Sequence, residues 1–350
     1  WSGVILVGLI FLVAEGLQFL DQEPEVLRLA KSYMQIIGIS ALPLMLFQML
    51  KHYADGFEDV WPGMLFMGVI VVFNIFFNYL FIRGNMGFPA LERDGAGYAT
   101  LLARCLGVVV IFLYVILNKR YRVYVRDFTV RHMMEPIRRI LKIGLPSGFQ
   151  YLFEVGSFTG AVLLIGPLGP EVLSANQIAL GVPAIVYMAY MGISAAGSIR
   201  VGNALGRRDL VGLQRAGRAA GLASLPFIVI GVLGMLSLHK WLPTLYIEDV
   251  EVQLIAANLV LIAALFQVAD GIQAVFLGVL RGMEDVRIPT ILTFIADWVS
   301  GLPVGYLLME YAGLGVYGMW FGLTAGLGFS AIFLTVRFLQ MSRRLPADES

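Results

Sequence analysis

Three carboxylic acids lie in the middle of long apolar stretches, where an ionised side chain is costly and therefore informative. Glu154 lies ten residues into the stretch 144–168, while Asp270 and Asp297 lie near the centres of two later stretches. Ten helical residues rise about 15 Å, roughly half the thickness of a bilayer's hydrocarbon core. A charge at that depth costs about 3 kcal/mol or more, so such a carboxylate lines a cavity, pairs with another group or holds a proton. These three residues are therefore candidates for a functional site that holds a proton or another cation.

The alternative is a structural role, in which a neighbouring base neutralises each carboxylate. Arg104 is the only base in the middle of an apolar stretch, and it lies far from the carboxylates in sequence. Pairing within the later part of the chain is therefore hard to arrange, which favours a functional role for Glu154 and Asp270. For Asp297 the functional and the structural readings are balanced. Glu15 lies closer to the end of its stretch and is expected at the membrane interface.

Polar side chains accompany the carboxylates on the same stretch or on the next one. Hydrogen bonds between helices, worth about 0.6 kcal/mol each, would explain Gln267 and Gln273 without any ligand. The sequence also holds 23 Phe and 15 Met, whose adaptable side chains suit a pocket of low selectivity. We expect a substrate cavity lined by Gln150, Gln177, Tyr187 and Phe266.

The motifs of several other protein classes are absent from the sequence. It has no phosphate-binding loop for ATP, no zinc-protease helix and no nucleophile elbow, so we expect neither an ATP-driven engine nor an enzyme. A single cysteine excludes a disulfide within the chain, and we expect no cofactor. Residues 313–318 match a dinucleotide-binding pattern, but no strand precedes them, so close helix packing is the better interpretation.

The elements that must position these residues are membrane helices. The apolar fraction is 59% and the charged fraction 14%, against about 25% charged residues in a soluble protein, and the mean hydropathy is +0.81. The apolar runs are continuous rather than alternating, which predicts an all-α integral membrane protein. The ten predicted spans are 3–20, 32–50, 62–82, 96–117, 144–168, 174–197, 219–238, 254–280, 288–309 and 314–337.

Basic residues cluster at alternate ends of these spans. Clusters occupy residues 119–142, 200–218 and 337–344, while an opposite connection, 21–25, is acidic. The positive-inside rule assigns the basic ends and the carboxy terminus to the cytoplasm. A nucleic-acid site or a lipid-headgroup site is the less favoured reading of the same clusters. We expect contact with membrane lipid, no nucleic-acid partner and a monomer.

The chain also repeats itself at a shift of 226 positions. Residues 55–60 read DGFEDV and residues 281–286 read RGMEDV. The same shift aligns residues 1–100 with 227–326 and leaves 144–226 without a partner, so we expect an amino-terminally truncated form of a twelve-span, two-lobe transporter. Six spans separate equivalent positions, which predicts halves of equal orientation. Asp270 and Asp297 correspond to Leu44 and Val71, so the halves are chemically unequal.

The predicted organisation has four parts. A basic linker with an amphipathic helix on the cytoplasmic face separates a lobe of four spans from a lobe of six, and a cytoplasmic tail follows. The predicted boundaries are 1–117, 118–143, 144–340 and 341–350.

Three motifs resemble the multidrug and toxic compound extrusion (MATE) family, of the NorM type. Residues 198–206, SIRVGNALG, resemble the signature after the family's eighth span, and residues 280–285, LRGMED, the one after its tenth. Residues 144–146, GLP, followed by Glu154, resemble its seventh span. The resemblance covers the whole chain from the family's third span, so the two lobes are similar to spans 3–6 and 7–12.

The resemblance implies an antiporter that expels amphipathic cationic drugs or dyes in exchange for Na⁺ or H⁺. Glu154 and Asp270 match the family's carboxylates in spans seven and ten, and would be the ligands if Na⁺ binds. Gln177 and Tyr187 match span-eight positions near the cavity in some members. Phe266 stands where NorM-type members commonly have a tyrosine, which puts a phenol ligand for Na⁺ in doubt.

Three alternatives to a cation-coupled, alternating-access drug exporter of the inner membrane remain open. A lipid-linked oligosaccharide flippase of the related superfamily would need bases in its cavity to hold a pyrophosphate, and here Arg104 is the lone candidate. A membrane enzyme would need a nucleophile with a base, or a metal cluster. The third alternative is a non-functional truncated fragment.

Overall fold

The computed structural model describes residues 2–16, 18, 24–121 and 134–344, and the regular structure within them is helical. The chain divides into two compact units, unit 1 (Trp1–Arg131) and unit 2 (His132–Ser350). Unit 1 contains α1 (Ser2–Gly16), α2 (Pro24–Gly56), α3 (Trp61–Arg83) and α4 (Glu92–Leu117). Unit 2 contains α5 (Met134–Ile165), α6 (Pro170–Gly206), α7 (Leu210–Leu238), α8 (Val250–Gly282), α9 (Arg287–Phe294), a π-helical turn (Ile295–Gly301), α10 (Leu302–Glu310) and α11 (Val316–Arg344).

The described helices have the length and composition of membrane spans. Nine described segments are long and apolar enough to cross a bilayer, with α9, the π-helical turn and α10 forming one of them. Many of their large apolar side chains are exposed, as expected for helices whose outer faces meet lipid. The prediction of an all-α membrane protein is confirmed. The predicted first span, 3–20, is represented by the 15 residues of α1, and its residues 17, 19 and 20 lie outside the described part.

In unit 1, α4 packs against both α2 and α3, and α1 packs against α2. The core between these helices is small and apolar, and its fully buried side chains include Phe47 and Ile111. Gly107 of α4 lets Ile70 of α3 approach closely, because a Cβ atom there would lie 2.2 Å from the Ile70 side chain. Small residues at such crossings are typical of membrane helices, where packing rather than water exclusion drives association.

In unit 2, α8 is the central helix and packs against α6, α7 and α11. This position explains its composition, since most of its residues from Val252 to Leu280 are buried. Glycines also join α10 to α11, because a Cβ atom on Gly322 would lie 2.2 Å from the backbone of Gly305. The motif 313–318 lies at this same junction, where Gly318 contacts the end of α10, so the helix-packing interpretation of that motif is confirmed.

The two copies of the sequence repeat form the same backbone turn in the structure. Glu58 and Glu284, which are 226 positions apart, both adopt left-handed backbone angles, with φ of 61° and 59°. In each copy the next amide N–H donates to a carbonyl five residues earlier: Asp59 to Ala54 at 3.3 Å and Asp285 to Leu280 at 3.0 Å. Two stretches that differ at two of their six residues therefore form the same helix-ending turn.

The side chains that hold the two turns differ. Asp59 accepts hydrogen bonds from the phenols of Tyr114, at 3.2 Å, and of Tyr121. Burial, and then the hydrogen bond to Asp59, raises the pKa of Tyr121, so its phenol remains a donor. In the second copy Asp285 accepts from Arg337 Nε at 2.8 Å. The turn is thus fixed to α4 in unit 1 and to α11 in unit 2.

The basic helix ends of unit 2 meet on one face. Gln214, near the start of α7, donates to the Ser342 carbonyl at the end of α11 at 2.7 Å, and Arg139 of α5 donates to Glu284 after α8. This gathering follows from six spans that alternate in direction. α5 continues without a break from the end of the predicted linker into the span 144–168. Linker residues 122–133 and tail residues 345–350 lie outside the described part, and the four-part organisation remains a prediction.

Candidate functional site

A cavity of about 450 Å³ opens between α5, α6 and α8 of unit 2. It exists because α5 packs mainly against α9 and the π-helical turn, and only lightly against α6. Glu154 and Asp270, predicted from sequence to act together, line this one cavity from two different helices. The remaining lining residues are Tyr151, Val155, Phe158, Leu180, Pro183, Ala184, Tyr187, Met188, Met191 and Phe266.

The two carboxylates are buried at the cavity wall. Glu154 is 8% exposed and Asp270 5% exposed, so neither charge is fully solvated. The phenol of Tyr187, on α6, donates a hydrogen bond of 3.3 Å to Glu154 Oε1. This leaves carboxylate oxygens in an apolar cavity, where a bound cation or a proton would replace the missing solvation.

The rest of the wall is aromatic and methionine-rich. Phe266 packs against Phe158 and Trp320, with ring centroids 5.9 Å and 5.6 Å apart. Met188 and Met191 line the α6 side. Aromatic faces attract cations, and Met side chains adapt to irregular shapes, so this wall suits varied organic cations better than one defined ligand.

Asp297 lies apart from the cavity lining, in the π-helical turn. It is 5% exposed, and its Oδ2 atom has no hydrogen-bond partner within the described residues. The turn ends just before Pro303, which has no N–H to donate to the preceding turn, so the local change in helix winding has a cause in the sequence. The charge of Glu154 acts on both Asp270 and Asp297, and that of Asp297 acts on Asp270, so the three carboxylates are electrostatically connected.

Arg281 is a base near the site that the sequence analysis missed. Its guanidinium lies 5.4 Å from the ring centroid of Tyr151, a cavity-lining residue, and its charge acts on Glu154. Among the described residues, no ion pair joins Arg281 to Glu154, so Arg281 acts on this carboxylate from a distance rather than by direct pairing. Arg281 stands at the end of α8, and in the sequence it appears only as part of the repeated stretch 281–286.

The glutamines singled out in the sequence lie in different surroundings. Gln150 is buried and Gln177 is exposed, and neither lines the cavity of unit 2. The neighbour of Gln177, Asn176, points inward and accepts a hydrogen bond of 2.9 Å from Trp320 Nε1. Gln267 donates to the Tyr190 hydroxyl at 2.9 Å, in line with the helix-packing alternative.

Unit 1 holds its mid-span base separately. Arg104 Nη1 donates to the hydroxyl of Ser40, which is fully buried, at 2.6 Å. Asn74 of α3 donates at 3.2 Å to Thr100, which lies one turn before Arg104 on α4. These contacts form a polar seam between α2, α3 and α4 whose hydrogen bonds stabilise helix packing.

The donor set of the cavity decides which ions it suits. Within the described residues, no three His, Cys, Asp or Glu side chains cluster in a way that could hold a metal ion. Glu154, Asp270 and Tyr187 offer oxygen atoms only. Two carboxylates with a hydroxyl suit a proton or a weakly held hard cation such as Na⁺, carried as cargo, rather than a transition metal.

Comparison with known proteins places the chain in a family. The family model MatE matches residues 1–80 and 146–307. The multidrug resistance protein NorM of Aliivibrio fischeri is 34% identical over 329 residues, covering 93% of this chain and 72% of that protein. A probable NorM of Rhodopseudomonas palustris is 35% identical, covering 98% and 74%.

Solved structures share the fold. An outward-facing multidrug resistance MATE family transporter superposes with a TM-score of 0.89 at 20% identity, covering 98% of this chain and 76% of that one. A eukaryotic MATE transporter superposes with a TM-score of 0.86, also at 20% identity, covering 98% and 77%. The chain therefore belongs to the MatE family, the MATE transporters, and is a multi-pass membrane transporter rather than an enzyme.

Proposed function

We propose that the chain is a multidrug efflux transporter, which exports amphipathic organic cations across a bacterial inner membrane in exchange for H⁺ or Na⁺. The proposal rests on the observation that two buried carboxylates, Glu154 and Asp270, line one apolar cavity within unit 2. The relatives' printed name, multidrug resistance protein NorM, supports the substrate class. The protein acts as a monomer with a cytoplasmic carboxy terminus.

The cavity wall supports the charge of the substrate. Two acids and no base occur among the described residues that line it. A cation entering this wall exchanges water for carboxylates and aromatic faces, whereas a pyrophosphate would meet repulsion. This composition disfavours a lipid-linked oligosaccharide flippase.

Coupling follows from competition for the same oxygens. A drug cation and a coupling ion both neutralise Glu154 and Asp270, so binding of one favours release of the other. Alternating access then exposes the site to one side of the membrane at a time. Arg281 supplies a fixed positive charge near Glu154, which limits how many cations the site holds at once. Asp297 adds a weaker, indirect contribution from the π-helical turn.

The test is ethidium efflux from vesicles that carry the protein, under imposed Na⁺ or H⁺ gradients. Glu154→Gln and Asp270→Asn keep the side-chain shape and remove the charge, so each should abolish gradient-driven efflux with expression intact. Asp297→Asn should reduce it less. Glu310→Gln is the matched control, because Glu310 is an exposed carboxylate at the end of α10.

Two outcomes would reject this proposal. Undiminished gradient-driven efflux by the Glu154→Gln, Asp270→Asn double variant would rule out the mechanism. If neither gradient drives efflux by the unsubstituted protein, while labelled lipid-linked sugars are translocated, the flippase reading is correct instead.

A further inference from the structure

A second pocket, of about 880 Å³, lies on the face of unit 2 where the basic helix ends meet. Its lining comes from two segments, 135–145 at the start of α5 and 284–288 between α8 and α9. Both segments stand at the ends of membrane-spanning helices. The pocket therefore lies at the depth where lipid headgroups meet the protein, outside the cavity that holds Glu154.

Charge in this pocket is unbalanced once the ion pairs are counted. Arg139 is paired with Glu284. Asp285 is paired with Arg337, which approaches from α11 with a nitrogen–oxygen distance of 2.8 Å. Glu135 is then the one acidic lining residue without an ion pair among the described residues. Three lining bases have no carboxylate partner within the described residues: Arg138, Lys142 and Arg287.

The same pocket has an apolar side. Leu141, Leu145 and Ile288 line it and are all exposed. Arg138 and Lys142 are four residues apart, so they project from one face of α5. A ligand that satisfies both features carries a negative charge at its head and hydrocarbon beside it.

We propose that this pocket binds the headgroup of an anionic phospholipid. The phosphate occupies the space between Arg138, Lys142 and Arg287, and the acyl chains run along the exposed leucines. Basic pockets between membrane helices are known physical recognition sites for such headgroups. A free phosphate ion would use the same bases but would gain nothing from Leu141 and Leu145, so the apolar side favours the lipid.

Thermal unfolding of the purified full chain in detergent tests the proposal. Dioleoylphosphatidylglycerol is titrated in, and the rise of the unfolding midpoint with concentration yields an apparent affinity. Dioleoylphosphatidylcholine, with the same acyl chains, and sodium phosphate are titrated in parallel. Each base near an anionic headgroup contributes roughly fivefold to affinity, so the Arg138→Gln, Lys142→Gln, Arg287→Gln variant should lose at least about tenfold for phosphatidylglycerol.

Two further variants make the result decisive. Arg200→Gln, Arg215→Gln, Arg218→Gln removes three exposed bases that do not line the pocket, and it should retain the affinity. Arg138→Lys, Arg287→Lys keeps the charges and should retain the preference for phosphatidylglycerol even if the neutral variant folds poorly. Equal stabilisation by phosphatidylcholine, equal stabilisation by sodium phosphate, or an unchanged affinity in the neutral variant would each overturn the proposal.

Discussion

The hydroxyl of Tyr187 is the side-chain donor that reaches Glu154 in the described cavity. At 3.3 Å this is a weak hydrogen bond, worth about 0.5–1 kcal/mol. Tyr187→Phe keeps the ring that lines the cavity and should therefore lower the rate of ethidium efflux by about two- to fivefold rather than abolish it. Tyr311→Phe is the control, because Tyr311 is 78% exposed beyond the end of α10. Equal efflux rates for the two variants would show that the Tyr187 hydroxyl has no role in transport.

Phe266 offers a second prediction for a single residue. It lies one helical turn before Asp270 and lines the cavity, so a hydroxyl added there would supply an oxygen beside the carboxylate. Phe266→Tyr should raise the Na⁺-driven share of ethidium efflux, measured as the ratio of initial rates under Na⁺ and H⁺ gradients. Phe276→Tyr adds the same hydroxyl on the same helix, outside the cavity lining. An unchanged ratio in Phe266→Tyr would contradict the ligand argument.

The sequence could predict the carboxylates but not all of their surroundings. The cost of burying a charge singles out Glu154 and Asp270 without any structure. The same cost does not tell on which side of a helix a polar side chain lies, and neighbouring residues point in directions about 100° apart. The sequence analysis therefore expects Gln177 in the cavity, whereas the structure turns its neighbour Asn176 inward. Arg281 was missed for a different reason: its distance to Tyr151 depends on how α5 packs beside α8.

Helix elements were predictable because apolar length is a strong signal, while their crossings were not. Gly305 and Gly322 are 17 positions apart, and only the structure shows that their backbones touch. Pro303 is the one sequence feature that relates to the π-helical turn, but a proline also starts or kinks ordinary helices, so it does not predict the turn. The continuity of α5 through residues 134–143 was also beyond the sequence, since amphipathic and apolar helical patterns differ only in what they contact.

The α10–α11 crossing yields a prediction at the scale of the element. Gly322→Ala places a methyl group against backbone atoms of Gly305 that cannot move without separating the helices. We expect a loss of at least about 2 kcal/mol in unfolding free energy, seen as a lower thermal unfolding midpoint in detergent. Gly328→Ala, on the same helix with nothing within 4 Å of the added atom, should leave the midpoint unchanged or raise it. Similar midpoints for both variants would refute the close-packing argument.

The basic helix ends of unit 2 yield a prediction for the orientation of the chain in the membrane. With Cys105→Ser as the background, single cysteines at Tyr311, in the connection before α11, and at Arg343, near the end of α11, mark opposite ends of the last span. The positive-inside rule predicts that a membrane-impermeant maleimide labels Tyr311→Cys in intact cells, and Arg343→Cys only after permeabilisation. Labelling of Arg343→Cys in intact cells would reverse the orientation.

The repeated turn implies that its backbone conformation does not depend on the residues that differ between the two copies. Residues 55–60 and 281–286 share a backbone course, so residues 55–60 should form the same turn at positions 281–286. The reverse exchange would set an arginine beside Lys51 in place of the buried Asp55, and we expect it to destabilise unit 1. The first exchange would change the electrostatics of the cavity, because an aspartate would replace Arg281, whose guanidinium lies 5.4 Å from the ring centroid of the cavity-lining Tyr151. Because the stretches differ at two of six positions, this first transplant amounts to Arg281→Asp with Met283→Phe, and it separates the role of the motif in the turn from its charge near the cavity.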